Sequence, residues 1–229
     1  MSATKELLAR EKELVIVQDQ ASKYTRFCHK EAGSFGFGDP TGISCEEGEL
    51  LYGLVRVVRP LFVLETGTNI GISTRYIALA LEHNGDGGRV VTIEHDKCVA
   101  DFARMTLSRM FTNVEVCEGD SLSAILNRPV DLLWLDTEPS IRYFELTRFF
   151  ASVVPGGFIC IHDLWELDCP MFGGLPKSIG DFLKSGKLSV VRFRTVHGVS
   201  VFQKAFDEDV LLDVMSGSYK FIDLEESLV

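Results

Sequence analysis

The chain has 229 residues, 46% of them hydrophobic, and a formal charge of −10. That length fits one generous domain, and the apolar content excludes intrinsic disorder. The acidic balance excludes a nucleic-acid or anionic-membrane surface, both of which need clustered cations. Seven acids and one base fall in residues 205–229, so most of the charge belongs to a tail and the body is near balance. No apolar run approaches the ~18 residues of a membrane span. The opening MSATKELLAREKEL lacks the apolar core of a secretory signal. Six cysteines, at 28, 45, 98, 117, 160 and 169, show neither a CxxC pair nor a metal-ligand spacing. They fit a reducing, cytoplasmic setting.

In chain order, residues 1–30 read as a mixed-charge helical region, and Gly33–Gly42 as a glycine-rich loop, either a linker or a flap with Phe35 and Phe37 able to cover a ligand. Ser44 and Glu47 have capping-box spacing for a helix over 46–59, with Leu50, Leu51, Leu54, Val57 and Val58 as its apolar face. Five strand-like runs follow, at 61–65, 89–94, 113–117, 131–136 and 157–162. Between them lie helical patterns at 71–83, 97–111, 121–127 and 140–153. Continuous apolar strands alternating with helices predict a parallel sheet covered on both faces. A further helix is expected at 175–185. The runs 188–194 and 198–204 are too close for a crossover, so they form an antiparallel hairpin. The fold class is α/β, a doubly wound, mostly parallel seven-stranded sheet with a C-terminal antiparallel hairpin.

In such a sheet, ligands bind beyond the carboxyl ends of the strands. The first run leads into Glu65-Thr-Gly67-Thr68-Asn69-Ile-Gly71-Ile-Ser73, a glycine turn before a helix, suited to an anion or to close backbone approach but equally to an ordinary βα turn. It departs from the dinucleotide fingerprint, since Asn69 and Ile72 stand where its later glycines belong. Glu94 ends the second strand, where an acid can accept a ribose diol or simply face solvent. Asp120 and Ser121 follow the third, as contacts for an adenine amino group or as an N-cap. Asp136 ends the fourth, and His162-Asp163 the fifth, both very apolar. A histidine flanked by acids suits a general base, though a hydrogen-bonded structural histidine reads the same.

These motifs resemble the class I S-adenosylmethionine-dependent methyltransferases, and within them the small-molecule O-methyltransferases related to the catechol and caffeoyl-CoA enzymes. The resemblance runs from about Ile43 to Lys204, through ISCEEGELL, VLETGTNIGIS, VVTIEHD, EGDS, LLWLD and VVPGGFICIHD. It implies a Rossmann-like fold, S-adenosylmethionine as methyl donor with S-adenosylhomocysteine as product, a small-molecule acceptor and a homodimer. By position, Glu65, Gly67, Thr68, Asn69, Gly71 and Ser73 would surround the methionine part of the donor. Glu94 would hold the ribose, His95 would lie beside the adenine, and Asp120 and Ser121 would meet its edge. Acids such as Glu65 and Asp136 suit a sulfonium cation. The acceptor pocket would draw on Gly33–Gly42, residues 137–143 and Trp165–Gly174.

The sequence also departs from that group. Its metal-dependent members hold a divalent ion with an acid after strand four and an acidic or amide pair after strand five, where this chain has Asp136, His162 and Asp163. Imidazole is a poor ligand for Mg²⁺. The catechol enzymes place a lysine three residues after the strand-four acid, and Pro139 stands there. Two expectations follow: His162 acts as base with Asp163 or Asp136, or a metal binds weakly through Asp136 and Asp163. The rival functions are a nicotinamide-dependent oxidoreductase and a non-catalytic cofactor-binding protein. The expected organisation is an N-terminal helical region and flap over 1–42, a methyltransferase domain over 43–204 and an acidic tail over 205–229.

Overall fold

The computed structural model describes residues 2–12, 42–164 and 188–205. The flap phenylalanines, the Trp165–Gly174 segment, the helix at 175–185 and nearly all of the acidic tail lie outside the described residues. The elements are α1 (Ala3–Lys12), α2 (Cys45–Val58), β1 (Phe62–Thr66), α3 (Ile72–Asn84), β2 (Arg89–Glu94), α4 (Lys97–Met110), β3 (Val114–Glu118), β4 (Val130–Leu135), α5 (Pro139–Phe149), β5 (Val153–His162), β6 (Leu188–Phe193) and β7 (Val199–Lys204). The seven strands form one sheet in the order β3-β2-β1-β4-β5-β7-β6. Pairing is parallel from β3 to β5 and antiparallel for β5–β7 and β6–β7. The doubly wound sheet and its terminal hairpin are as expected.

Side chains of the central strands alternate between two apolar layers. Leu132 and Trp134 of β4 join Val63, Cys160 and Val201 beneath α2, α3 and α4. Leu133 and Leu135 join Leu64, Ile159 and Phe202 beneath α5. Helix α1 belongs to the first layer: Ala3 and Leu7 are buried there, and Thr4 Oγ1 lies 2.8 Å from Glu49 of α2 and 2.7 Å from the Tyr76 hydroxyl of α3. Gly48 permits that packing, because a Cβ on it would lie 2.2 Å from the Tyr76 ring.

Three local expectations are corrected. The buried face of α2 is Glu47, Gly48, Leu51 and Val55, whereas Val57 is 82% exposed. A stripe counted from apolar residues alone misses it, because its first two members are an acid and a glycine. Thr106 of α4 is buried and donates to Phe102 O at 3.0 Å. The helix expected at 121–127 is a single 3-10 turn, Ser121–Ser123. Asp120 and Ser123 bond locally instead, and so short a segment cannot offset helix nucleation. Helix α5 stops at Phe149, a 3-10 turn follows at Phe150–Ser152, and β5 begins at Val153, with a register shift that absorbs Pro155-Gly-Gly.

Candidate active site

A cleft of about 550 Å³ opens above the carboxyl ends of β1, β2, β3 and β4. The β1–α3 turn forms its floor. Gly67 N and Thr68 N donate to Ile93 O at 3.0 and 3.3 Å, which ties the turn to β2. Gly67 has φ +83, and a Cβ on it would meet Asp136 O at 2.3 Å, so only glycine fits. Asn69 is also left-handed, with φ +47. Its backbone N donates to Glu94 Oε2 at 2.8 Å, and Asp96 N donates to Glu94 Oε1 at 2.9 Å. Two amides thus fix the Glu94 carboxylate at the cleft wall, each oxygen keeping a lone pair for a ligand.

Of the expected cofactor residues, Gly67, Thr68, Asn69, Ser73, Glu94, His95, Asp120, Ser121 and Asp136 line the cleft. Glu65 and Gly71 do not. Glu65 is wholly buried beneath the floor, accepting from the hydroxyls of Ser73 and of Thr74, the latter at 2.6 Å. Burial pushes its pKa up to about 7, against the hydrogen bonds from Ser73, Thr74 and Thr92. Asp120 is the N-cap of the 3-10 turn, Oδ1 accepting from Leu122 N at 2.9 Å, and it stays exposed at the rim. The Ser121 hydroxyl is committed to the buried carboxylate of Glu145, which also accepts from Thr137 Oγ1 at 2.6 Å.

Beside this cleft, above β4 and β5, lies a charge cluster. His162 Nδ1 sits 2.8 Å from Asp136 Oδ1, and Nε2 sits 3.3 Å from Glu47 Oε2. Its ring stacks on Trp134 at 5.8 Å and is almost wholly buried. Glu47, fully buried, also accepts from Thr195 Oγ1 at 2.6 Å, and from His197 N and Nδ1 at 2.8 and 2.9 Å. Burial works against charge on His162, but its bonds to Asp136 and Glu47 outweigh that and lift its pKa to about 10. Burial likewise opposes charge on Glu47, yet bonds from His162, Thr195 and His197 hold it below the usual carboxylate range. Both ring nitrogens of His162 thus face carboxylates, which favours the charged ring. The base expected at His162 is not among the residues that line the cleft.

Arg142 of α5 completes the cluster. Its Nη2 bonds Asp163 Oδ2 at 2.9 Å and Asp136 Oδ1 at 3.3 Å. Nε donates to Thr137 O at 2.6 Å, and Nη1 to His162 O. Asp163 holds a left-handed φ of +54, which aims its carboxylate back at this guanidinium. Asp136, His162 and Asp163 can each offer a ligand atom within 4.8 Å of one another, as can Glu47, His162 and His197. Sequence reasoning did not single out Arg142, His197 or Thr195, and it took Glu47 only for a cap. One signal existed. Arg142, Glu145, Leu146 and Phe149 form the i, i+3, i+4, i+7 stripe of α5, so two charged residues occupy buried-face positions.

The strand order, the antiparallel β7 and the cleft on the carboxyl side of β1–β4 define a Rossmann-like α/β fold. Residues 64–164, a little under half of the chain, match a methyltransferase domain family. It is 35% identical to the catechol O-methyltransferase of Mycobacterium tuberculosis over 110 residues, 45% of this chain and 49% of the relative. It is 29% identical to that of Niastella koreensis over 113 residues, 45% and 50% of the two chains. The match thus spans about half the length of these curated relatives. An O-methyltransferase from Bacillus cereus, solved in complex with S-adenosylhomocysteine, superposes with a TM-score of 0.68 at 21% identity, covering 86% of this chain and 90% of that one. The Streptomyces achromogenes O-methyltransferase of tomaymycin synthesis, solved with S-adenosylmethionine, gives 0.62 at 22% identity, covering 72% and 82%.

Proposed function

We propose that this protein is an S-adenosylmethionine-dependent O-methyltransferase acting on a small-molecule acceptor. The observation that carries the reading is Glu94, held by two backbone amides beside the glycine turn and lining the cleft. The curated catechol O-methyltransferases and the donor-bound structural relatives support the same reading.

The residues fit the donor. Glu94 accepts the ribose hydroxyls, Thr68 and Asn69 border the methionine end, and Gly119 leaves open space beside Asp120 for the base. Bound there, S-adenosylmethionine supplies an electrophilic methyl group and leaves as S-adenosylhomocysteine. The chain's work is alignment and charge. Asp136 has Oδ1 committed to His162 and Arg142 and lines the cleft, where its carboxylate accepts the hydrogen bond of an acceptor hydroxyl and orients that oxygen. His162 and Arg142 hold Asp136 in place from behind.

Calorimetric titration with S-adenosylhomocysteine and with NAD tests the reading. Binding of the first and not the second supports it, and the reverse outcome favours the oxidoreductase. Methyl transfer from labelled donor to a panel of catechols, phenols and amines then identifies the acceptor. Binding without turnover on any acceptor favours a non-catalytic protein. We also infer a cytoplasmic homodimer. Its support is four described cysteines that are all free, and an edge strand, β6, with Val190 and Val191 exposed. Light scattering of the purified protein measures the oligomeric state. No helix among the described residues is long and apolar enough to cross a membrane.

A further inference from the structure

We propose that Arg142 is a built-in cation standing where metal-dependent relatives would hold a divalent ion, so that this protein works without a metal. The inference rests on the methyltransferase reading for its functional meaning, and on the geometry of the cluster for its substance. Asp136 and Asp163 are the two carboxylates a metal would need, and the same nitrogen, Arg142 Nη2, bridges them at 3.3 and 2.9 Å. The remaining sides of the guanidinium are anchored by Thr137 O and His162 O. The side chain is only 7% exposed, so it does not swing in from solvent. The third potential ligand, His162, has one nitrogen on Asp136 and the other on Glu47.

A divalent ion between the carboxylates would collide with Nη2 and face the charge of the guanidinium. A hard ion such as Mg²⁺ also wants near-octahedral oxygen ligands, and this site offers two carboxylates and an occupied imidazole. The planar fork of arginine suits the bridging role, since it gives separate N–H bonds to two carboxylates and two carbonyls at once. Arg142 thereby fixes Asp136, the cluster member that reaches the cleft.

Manganese binding, read from the free-ion electron paramagnetic resonance signal, tests this on the full chain. Wild type should leave Mn²⁺ free and bind S-adenosylhomocysteine equally with and without EDTA. R142Q should gain Mn²⁺ affinity by about tenfold or more, the scale expected when a nearby like charge is removed, and R142Q/D163N should lose that gain. R142K, which keeps the charge, should stay metal-free. Thermal melts establish that each variant is folded, and the wild-type measurement stands even if R142Q is not. One Mn²⁺ bound per wild-type chain, lost in D163N, would overturn the proposal. So would a folded R142Q that gains nothing. Failure of S-adenosylhomocysteine to bind wild type would instead remove the methyltransferase reading and leave the metal result intact.

Discussion

Above β1, β2 and β3 the loops leave a cleft whose polar groups are fixed by backbone and turned outward. Above the ends of β4 and β5 the charged side chains bond to one another. Both regions carry acids at strand ends. In the first, Glu94 is held by two amides and keeps capacity for a ligand. In the second, Glu47, Asp136 and Asp163 are matched by His162 and Arg142. An acid at a strand end therefore has two meanings, and its partners decide between them. Removing a partner should destabilise the charge-paired region, whereas removing the acid from the open one should weaken binding.

The largest effect is expected for Glu47→Ala, which strips the shared carboxylate from two histidines. Breaking a buried charge pair costs about 3–5 kcal/mol, read as a lower urea midpoint at an unchanged slope. Gly67→Ala strikes the seam between the regions. A left-handed backbone and a Cβ 2.3 Å from Asp136 O should together cost about 2–4 kcal/mol, measured in the same way. Glu94→Ala should leave stability within about 1 kcal/mol but weaken S-adenosylhomocysteine by about 10–100-fold, the value of hydrogen bonds to a charged group. An equal loss of stability in E94A and E47A would erase the contrast.

A pH series sharpens it further. The His162 pKa is raised in the folded state, from the ordinary 6.5 to about 10. Its stabilising contribution is complete below about pH 6.5 and is lost as pH climbs towards 10. The lowered pKa of Glu47 works in the other direction, its contribution being present above the ordinary value of 4.5 and lost as pH falls below it. Urea unfolding between pH 6 and 9 should show wild type losing stability, with a flatter profile for His162→Asn. The smallest effect is expected for Ser44→Ala, which removes one arm of the capping box, at about 1 kcal/mol in the same assay.

The strands were legible because each is a short, continuous apolar run ended by a turn. The glycine turn was legible because Gly67 and Gly71 follow a strand and open a helix. The cleft side of the site followed from those two facts. The charge-paired side did not, because its members come from places a strand-end rule does not search. Glu47 sits in the first turn of α2, Arg142 inside α5, and Thr195 and His197 in the β6–β7 turn. Each is brought in by long-range packing, and the raised pKa of His162 draws on Asp136 and on Glu47, the latter 115 residues away in sequence. Local pattern could flag Arg142 as a misplaced charge on a buried stripe, but not say which carboxylates it would meet.

Helix α1 has a consequence for folding kinetics. Its bonds to Glu49, Tyr76 and Glu82 span 45–72 residues of chain, and it closes over α2 and α3 rather than forming any part of the sheet. Contacts so distant in sequence carry a loop-closure cost and are expected to form late, after the transition state. Stabilising them would slow unfolding and leave the folding rate nearly unchanged. The N-terminal helix thus acts as a latch on the lifetime of the native state, and through α2 that lifetime extends to Glu47 and the charges it holds in place.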